Sequence, residues 1–127
     1  MMGTFVHRTA YVNRDARLGS GTVVYPGCNI DKNVITGVGV LLNNSVIVSH
    51  DSKVGDACYL SPGVTISGFS SIGVGCFVGA GSIVSSKLEI GDHVTVGVGT
   101  VITRSVHSGV SVIGNPMRVL DRPLRIV

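Results

Sequence analysis

Aliphatic residues recur along this chain at a period of six, and the period holds without a slip for most of its length. Every sixth residue from Val12 reads Val12, Leu18, Val24, Ile30, Thr36, Leu42, Val48, Val54, Leu60, Ile66, Ile72, Val78, Val84, Ile90, Val96 and Ile102. Fifteen of these sixteen are Val, Leu or Ile, and the exception, Thr36, is β-branched. A second series, four residues further on, runs from Ala16 and Thr22 to Thr100 and Val106 and is mostly small or β-branched. A fixed short period of this kind marks a repeat architecture. Each hexapeptide is expected to form a short strand and a corner, and three hexapeptides to close one triangular coil. Successive coils then stack in parallel at about 4.8 Å. The large aliphatic residue fills the interior and the small one sits near the corner.

Sixteen hexapeptides make about five coils, a prism roughly 25 Å long. The expectation is one all-β domain over residues 1–127, with repeats over 12–107. The phase is lost at His107-Ser108-Gly109, so 108–127 reads as a C-terminal cap and packing arm. Met1 to Tyr11 reads as a very short N-terminal cap. Glycine keeps its own phase, at Gly19, Gly37, Gly55, Gly73, Gly79, Gly91 and Gly97, often with a second Gly two residues later. Such placement signals tight turns or positive φ. These Gly-x-Gly pairs are not a dinucleotide fingerprint, which needs a strand before and a helix after.

Composition adds limits. Aliphatic side chains are plentiful, which excludes a disordered Gly-rich chain. No apolar run nears the roughly 20 residues of a membrane span, and Met1 to Ala10 holds no signal-peptide core. A cytoplasmic protein is expected. The net charge of +3 is small and its basic residues are scattered, so no nucleic-acid partner is expected. Arg104, Arg118, Arg122 and Arg125 face only Asp121 after residue 103, a cluster suited to phosphates or to plain solvation. Cys28, Cys58 and Cys76 match no zinc spacing and fall in the second, inward series. They read as core, and no metal is expected.

Four histidines carry the candidate chemistry: His7 before the repeat, His93 in a corner, His107 at the exit and His50 in Val48-Ser49-His50-Asp51-Ser52. A corner side chain points outward, and a carboxylate beside an imidazole holds it and raises its basicity.

The repeat, the Val-Ser-His-Asp segment and the late Val112-Ile113-Gly114-Asn115-Pro116-Met117-Arg118 segment together resemble the hexapeptide acyltransferases. Within them the chain is most similar to the sialic acid O-acetyltransferase and bacillosamine N-acetyltransferase group. His7-Arg8-Thr9-Ala10-Tyr11-Val12 resembles the start of that group's β-helix. The resemblance implies a left-handed coil, although parallel crossovers are normally right-handed. It also implies an acetyl-CoA-dependent acetyltransferase acting on an amino or hydroxyl group of a sugar or sugar nucleotide, assembled as a homotrimer. By the same resemblance His50 is the general base, assisted by Asp51. Tyr59 stands where the group often has a second His, and Gly68 where a backbone amide meets the thioester carbonyl. Ala80 and Val98 match cofactor contacts, and Pro116 to Arg118 the pantetheine and phosphate end. The group's N-terminal Rossmann-like domain has no counterpart here. A non-catalytic β-helix subunit is the main alternative. A γ-type carbonic anhydrase is weaker, because it needs three zinc-binding histidines.

Overall fold

A computed structural model of the chain describes residues 3–122 and Leu124. Among them there is no helix. The strands are two residues long, save the three-residue Ser111–Ile113 and Arg118–Leu120, and form three sheets, one for each face of a triangular prism. Sheet A holds Phe5–Val6, Val23–Val24, Leu41–Leu42, Tyr59–Leu60, Phe77–Val78, Thr95–Val96 and Ser111–Ile113. Sheet B holds Tyr11–Val12, Asn29–Ile30, Ile47–Val48, Thr65–Ile66, Ile83–Val84 and Val101–Ile102. Sheet C holds Arg17–Leu18, Ile35–Thr36, Lys53–Val54, Ser71–Ile72 and Glu89–Ile90. The chain visits A, B and C in turn, and every pairing within these stacks is parallel with residue i beside residue i+18, save at the last coil. The fold is the parallel β-helix that the hexapeptide pattern predicts, with the left hand that the family resemblance implies.

The prism has about six turns rather than five. The extra length lies at both ends. Phe5–Val6 pairs with Val23–Val24, so the aliphatic phase starts one hexapeptide before Val12. At the far end Val112 pairs with Val96 despite the slip near His107. Arg118–Leu120 then folds back antiparallel on Ser111–Ile113. Val110, Val112 and Met117 from this hairpin are buried and close the core. Two parts of the expected caps, Met1 and Met2 at the start and Pro123 and Arg125 to Val127 of the arm, lie outside the described residues.

Both inward series are buried from Thr22 onward save Leu88, which with Val12, Ala16 and Leu18 is partly buried. From Val24 to Ile102 the large positions form one apolar column, and Thr36 joins it at 3% exposure. The small series does more than save space. Ser52, Ser70 and Ser82 donate their hydroxyls to the carbonyls of Ser67, Ser85 and Gly97 at 2.8 to 2.9 Å. The Cys28, Cys58 and Cys76 thiols do the same toward Asn43, Gly73 and Gly91. A short donor at this position reaches a corner carbonyl fifteen residues on, where a buried acceptor would otherwise lack a partner. All three cysteines are free and buried. Burial pushes the Cys28 thiol up, and the Cys76 thiol beside it, followed by burial, pushes Cys58 up. The hydrogen bond with Cys58 shifts the Cys76 thiol down, and all three are buried donors to backbone carbonyls rather than exposed nucleophiles.

The two glycine phases have different causes. The first is a matter of space: a Cβ on Gly55 would lie 2.6 Å from the Gly73 carbonyl carbon. The second is a matter of backbone: Gly21, Gly39, Gly75, Gly81 and Gly99 all have positive φ.

The thiol hydrogen bonds predict a split between two substitutions. Cys58→Ala should lower unfolding stability in urea by about 1 to 2 kcal/mol, because it strands the Gly73 carbonyl. Cys58→Ser should cost clearly less, since it keeps a donor as Ser52 and Ser70 do. Equal losses for both would show that only packing matters at this position.

Candidate active site

Three edges join the faces of the prism, and one of them differs from the others in its backbone. From Gly21 to Gly99 each corner carries a residue at positive φ. On the B-to-C edge the successive residues are Asn33, Asp51, Phe69 and Lys87, at 59°, 60°, 58° and 62°. None of the positive-φ glycines lies on this edge, whereas both other edges are mostly glycine there. Side chains in this region cost about 1 to 2 kcal/mol each relative to relaxed backbone, least for Asn and Asp. An edge that holds four in a row retains them for what their side chains do, and strain of this kind gathers at functional sites.

His50 precedes Asp51 on that edge. Its Nδ1 lies 3.1 Å from Asp51 Oδ2. Asp51 Oδ1 in turn accepts from Asn33 Nδ2 at 3.1 Å, one coil below. The His50 hydrogen bond first, and the Asn33 hydrogen bond second, hold the Asp51 carboxyl below the usual carboxylate range. An ionised carboxylate only accepts, so Nδ1 carries the hydrogen and Nε2 keeps its lone pair. His50 is half exposed, at 49% of its side chain, with the ring outside the prism.

The ring lies over the next coil. A Cβ on Gly68 would stand 2.9 Å from His50 Cε1 and 3.0 Å from Nε2. Any side chain there would displace the imidazole. The backbone is fixed as well: the Phe69 N–H donates to the His50 carbonyl at 3.1 Å, and the Gly68 carbonyl accepts from the Lys87 N–H at 3.1 Å. Among the described residues nothing accepts from the Gly68 N–H, although Gly68 is buried. Phe69 completes the group, with its ring 5.2 Å from the imidazole and nearly perpendicular to it. Asn33 and Phe69 are the members that the sequence reading did not single out. The rule that residue i meets residue i±18 reaches both, since Asn33 is 18 before Asp51 and Phe69 is 18 after.

The other histidines lack this arrangement. The His93 ring also lies against a glycine, Gly75, but Asp92 spends Oδ1 on the Val74 N–H. His7 Nδ1 meets only Thr9. Among the described residues His50 is the histidine paired with a carboxylate, and no three metal-binding side chains converge. That gives the carbonic anhydrase alternative no support.

The remaining candidates do not gather around His50. Tyr59 is on the outer side of sheet A, half a coil away, where it stacks on Phe77 at 5.3 Å and accepts from Asn43 Nδ2 at 2.7 Å. Ala80 and Val98 follow one another on the A-to-B edge. Val98 is 79% exposed, and neither N–H has an acceptor among the described residues. Pro116 lies in the hairpin turn, after a cis Asn115–Pro116 bond, and Arg118 pairs with Ile113. Thr103 N–H meets Met117 Sδ at 3.4 Å, which brings the Arg104 and Arg118 segments together, and Arg125 is outside the described residues. So the candidates fall into two groups on different edges of one prism.

The outer faces also differ. Sheet A presents Phe5, Val23, Leu41, Tyr59 and Phe77, and sheet B presents Tyr11, Ile47, Ile83 and Val101. Sheet C presents Arg17, Lys53, Ser71 and Glu89, with Ile35 among them. Sheet C also carries the hollows. A cleft of about 320 Å³ adjoins the His50 edge between Asp51, Lys53, Phe69, Lys87 and Glu89. A larger one, about 620 Å³, lies further along where the chain loses its phase near Val106. Size ranks the second higher, but the chemistry adjoins the first.

Fold and edge together define a class of molecule: a left-handed hexapeptide β-helix with an acid-held imidazole over a corner glycine. No family model matches the chain, and no curated protein does. Solved structures do. The acetyltransferase domain of PglB from Neisseria gonorrhoeae, in complex with acetyl coenzyme A, is similar over 94% of this chain and 58% of that one, at 30% identity and a TM-score of 0.92. PerB from Caulobacter crescentus, in complex with CoA and GDP-perosamine, gives 93% and 57%, 32% identity and 0.92. A histidine-to-alanine variant of GDP-perosamine N-acetyltransferase from Caulobacter crescentus, with the same two ligands, gives 93% and 56%, 31% identity and 0.91. The chain spans a little over half the length of each. No helix among the described residues is long and apolar enough to cross a membrane.

The Asp51 hydrogen bonds predict a titration. His50→Ala should raise the Asp51 pKa toward the ordinary carboxylate range, and Asn33→Ala should raise it less. Carboxyl-carbon NMR reads both. The folded pKa lies below the unfolded one, so the stability this contributes is present above the unfolded value and fades as pH falls through the lowered one. No rise in either variant would mean that the pair does not form in solution.

Proposed function

We propose that this chain is an acetyltransferase that moves the acetyl group of acetyl-CoA onto an amino or hydroxyl group of a sugar or sugar nucleotide, with His50 as general base. The observation that carries the reading is the His50 imidazole, held by Asp51, against Gly68, whose N–H has no acceptor among the described residues. Histidine is the side chain that exchanges a proton near neutral pH. The acceptor gives its proton to Nε2 as its lone pair attacks the thioester carbonyl. Asp51 orients the ring and stabilises the imidazolium. The carbonyl oxygen becomes an oxyanion, and the Gly68 N–H is a donor for it; such donors contribute about 3 kcal/mol. Collapse of the tetrahedral intermediate breaks the carbon–sulfur bond, and the departing thiolate takes the proton from His50. The similarity to acetyltransferase domains with acetyl-CoA, CoA and GDP-perosamine bound supports this reading.

The same reading makes the working form a homotrimer. Ala80 and Val98 cannot line a site with His50 of their own chain, because another edge of the prism carries them. A neighbouring prism brings its A-to-B edge to the His50 edge, and the apolar outer ladders of sheets A and B flank that edge. The pantetheine arm of the substrate then runs along Ala80 and Val98 toward Pro116 and Arg118. His50 and Arg118 are three to four coils apart, on the order of 15 Å along the axis at about 4.8 Å per coil. Tyr59 lends a phenol to the cofactor side. Acetyl-CoA as donor places the enzyme in the cytoplasm. The scaffold alternative gives no account of four strained side chains on one edge.

Three substitutions and one mass measurement test this. His50→Ala should slow acetyl transfer about a hundredfold or more with little change in acetyl-CoA affinity. Asp51→Asn should cost less. Arg118→Ala should weaken acetyl-CoA binding and spare the chemical step. Light scattering should give three times the 13.1 kDa chain. Near-normal turnover by the His50 variant, or a stable monomer at micromolar concentration, would contradict the proposal.

A further inference from the structure

Phe69 is the residue on the catalytic edge that the mechanism leaves without a role. Three of the four strained side chains have plain reasons or low cost. Asn33 and Asp51 are of the types that tolerate positive φ, and they build the relay to His50. Lys87 is a long, flexible cation in open solvent. A phenylalanine at φ 58° is a genuine outlier. It is also 56% exposed, so it gains little from burial. A glycine at this position would relieve the backbone, as it does along the other two edges.

Its surroundings show what the ring faces. One side meets the His50 imidazole at 5.2 Å with the two planes 85° apart. Phe69 also lines the cleft of about 320 Å³ that runs onto sheet C between Asp51, Lys53, Lys87 and Glu89. That volume is at the small end of ligand clefts. Its rim is polar, with two cations and two carboxylates, and Phe69 and Leu88 are its apolar members, Phe69 the aromatic one. A polar rim around one aromatic plate, next to a base, matches a pyranose ring: hydroxyls and an amine around the edge, C–H bonds on the face. A bulky aromatic in strained backbone, exposed beside the base, is retained for contact with a ligand.

We propose that Phe69 is the acceptor platform of this enzyme, and that an aminopyranose stacks its C–H face on the Phe69 ring so that its amine meets His50 Nε2. The proposal rests on the acetyltransferase reading for the identity of the site. It adds a specificity-determining residue, and the acceptor enters over sheet C rather than along the A-to-B edge of the cofactor.

The test compares Phe69→Gly and Phe69→Leu with the wild type. The first readout is the urea midpoint. Phe69→Gly should leave it unchanged or raise it, since glycine is at ease at this φ. A clear drop would make Phe69 a structural residue and overturn the proposal. The second is saturation-transfer NMR with glucosamine and GDP-perosamine as probes, irradiating the aromatic protons. Transfer should reach sugar C–H protons in the wild type and vanish in Phe69→Gly. No transfer to either probe in the wild type would overturn the platform, even where acetyl transfer is seen. Transfer without acetyl transfer would sink the activity reading and leave the platform standing. Where turnover is measurable, Phe69→Gly should raise the acceptor KM at least tenfold, leave acetyl-CoA affinity alone and keep the pH profile of kcat. Phe69→Leu should fall between. A loss in kcat with unchanged acceptor KM would mean that Phe69 acts only through His50, which contradicts the proposal.

Discussion

The backbone ladder between coils is the constraint on which the rest depends. Tyr59 N–H donates to the Cys76 carbonyl and Ser61 N–H to the Val78 carbonyl, and the same step repeats from Phe5 to Ser85. A parallel ladder with one fixed step allows no insertion, because a single extra residue turns every later side chain to the wrong side. The aliphatic column follows from it, since residue i can only meet residue i+18. So does the site. His50 lies on Gly68 because one coil separates them, and the carboxylate relay reaches Asn33 by one coil in the other direction.

This constraint explains how much of the molecule was legible in the sequence. A period of six gives the faces, the inward residues and the stacking partner of any residue, so the His50–Gly68 pair follows from counting. It also placed the cysteines in the core. Other features have no periodic signal. The exposed apolar ladders of sheets A and B mix Phe, Leu, Tyr and Ile with Asn29 and Thr65, so they read as noise until the faces are separated. The donor role of Ser52 or Cys58 was hidden because short side chains at a corner look like a matter of volume alone. The glycine pairs appeared as one signal and are two, close approach at Gly55 and positive φ at Gly75. Val6 belongs to the aliphatic series, but with one preceding residue of each kind it is indistinguishable from a cap.

Strain and electrostatics meet on the B-to-C edge. Asp51 occupies a left-handed backbone position that brings its carboxylate back onto the preceding His50 and across to Asn33. Those hydrogen bonds keep it ionised, and an ionised acceptor fixes the imidazole tautomer. Gly68 admits the ring and leaves its own N–H free. The prism thus holds an imidazole, the carboxylate paired with it and a free backbone N–H on two adjacent coils, at positions set by the ladder and not by loops. What one prism does not do is bring the second group of candidates to that edge. Ala80 and Val98 stand one corner away, on rigid backbone that cannot swing round.

That division is the central claim, and complementation between chains tests it most directly. On the proposed mechanism, chains carrying His50→Ala lack the base, and chains carrying Val98→Asp have a charged cofactor edge. Each alone should be inactive. Refolded together they should form mixed trimers in which about a quarter of the sites pair an intact His50 edge with an intact Val98 edge. The account predicts that acetyl transfer reappears on mixing, toward a quarter of the wild-type rate. Activity no greater than the sum of the two separate variants would show that both groups serve a site within one chain, or that one of them serves none.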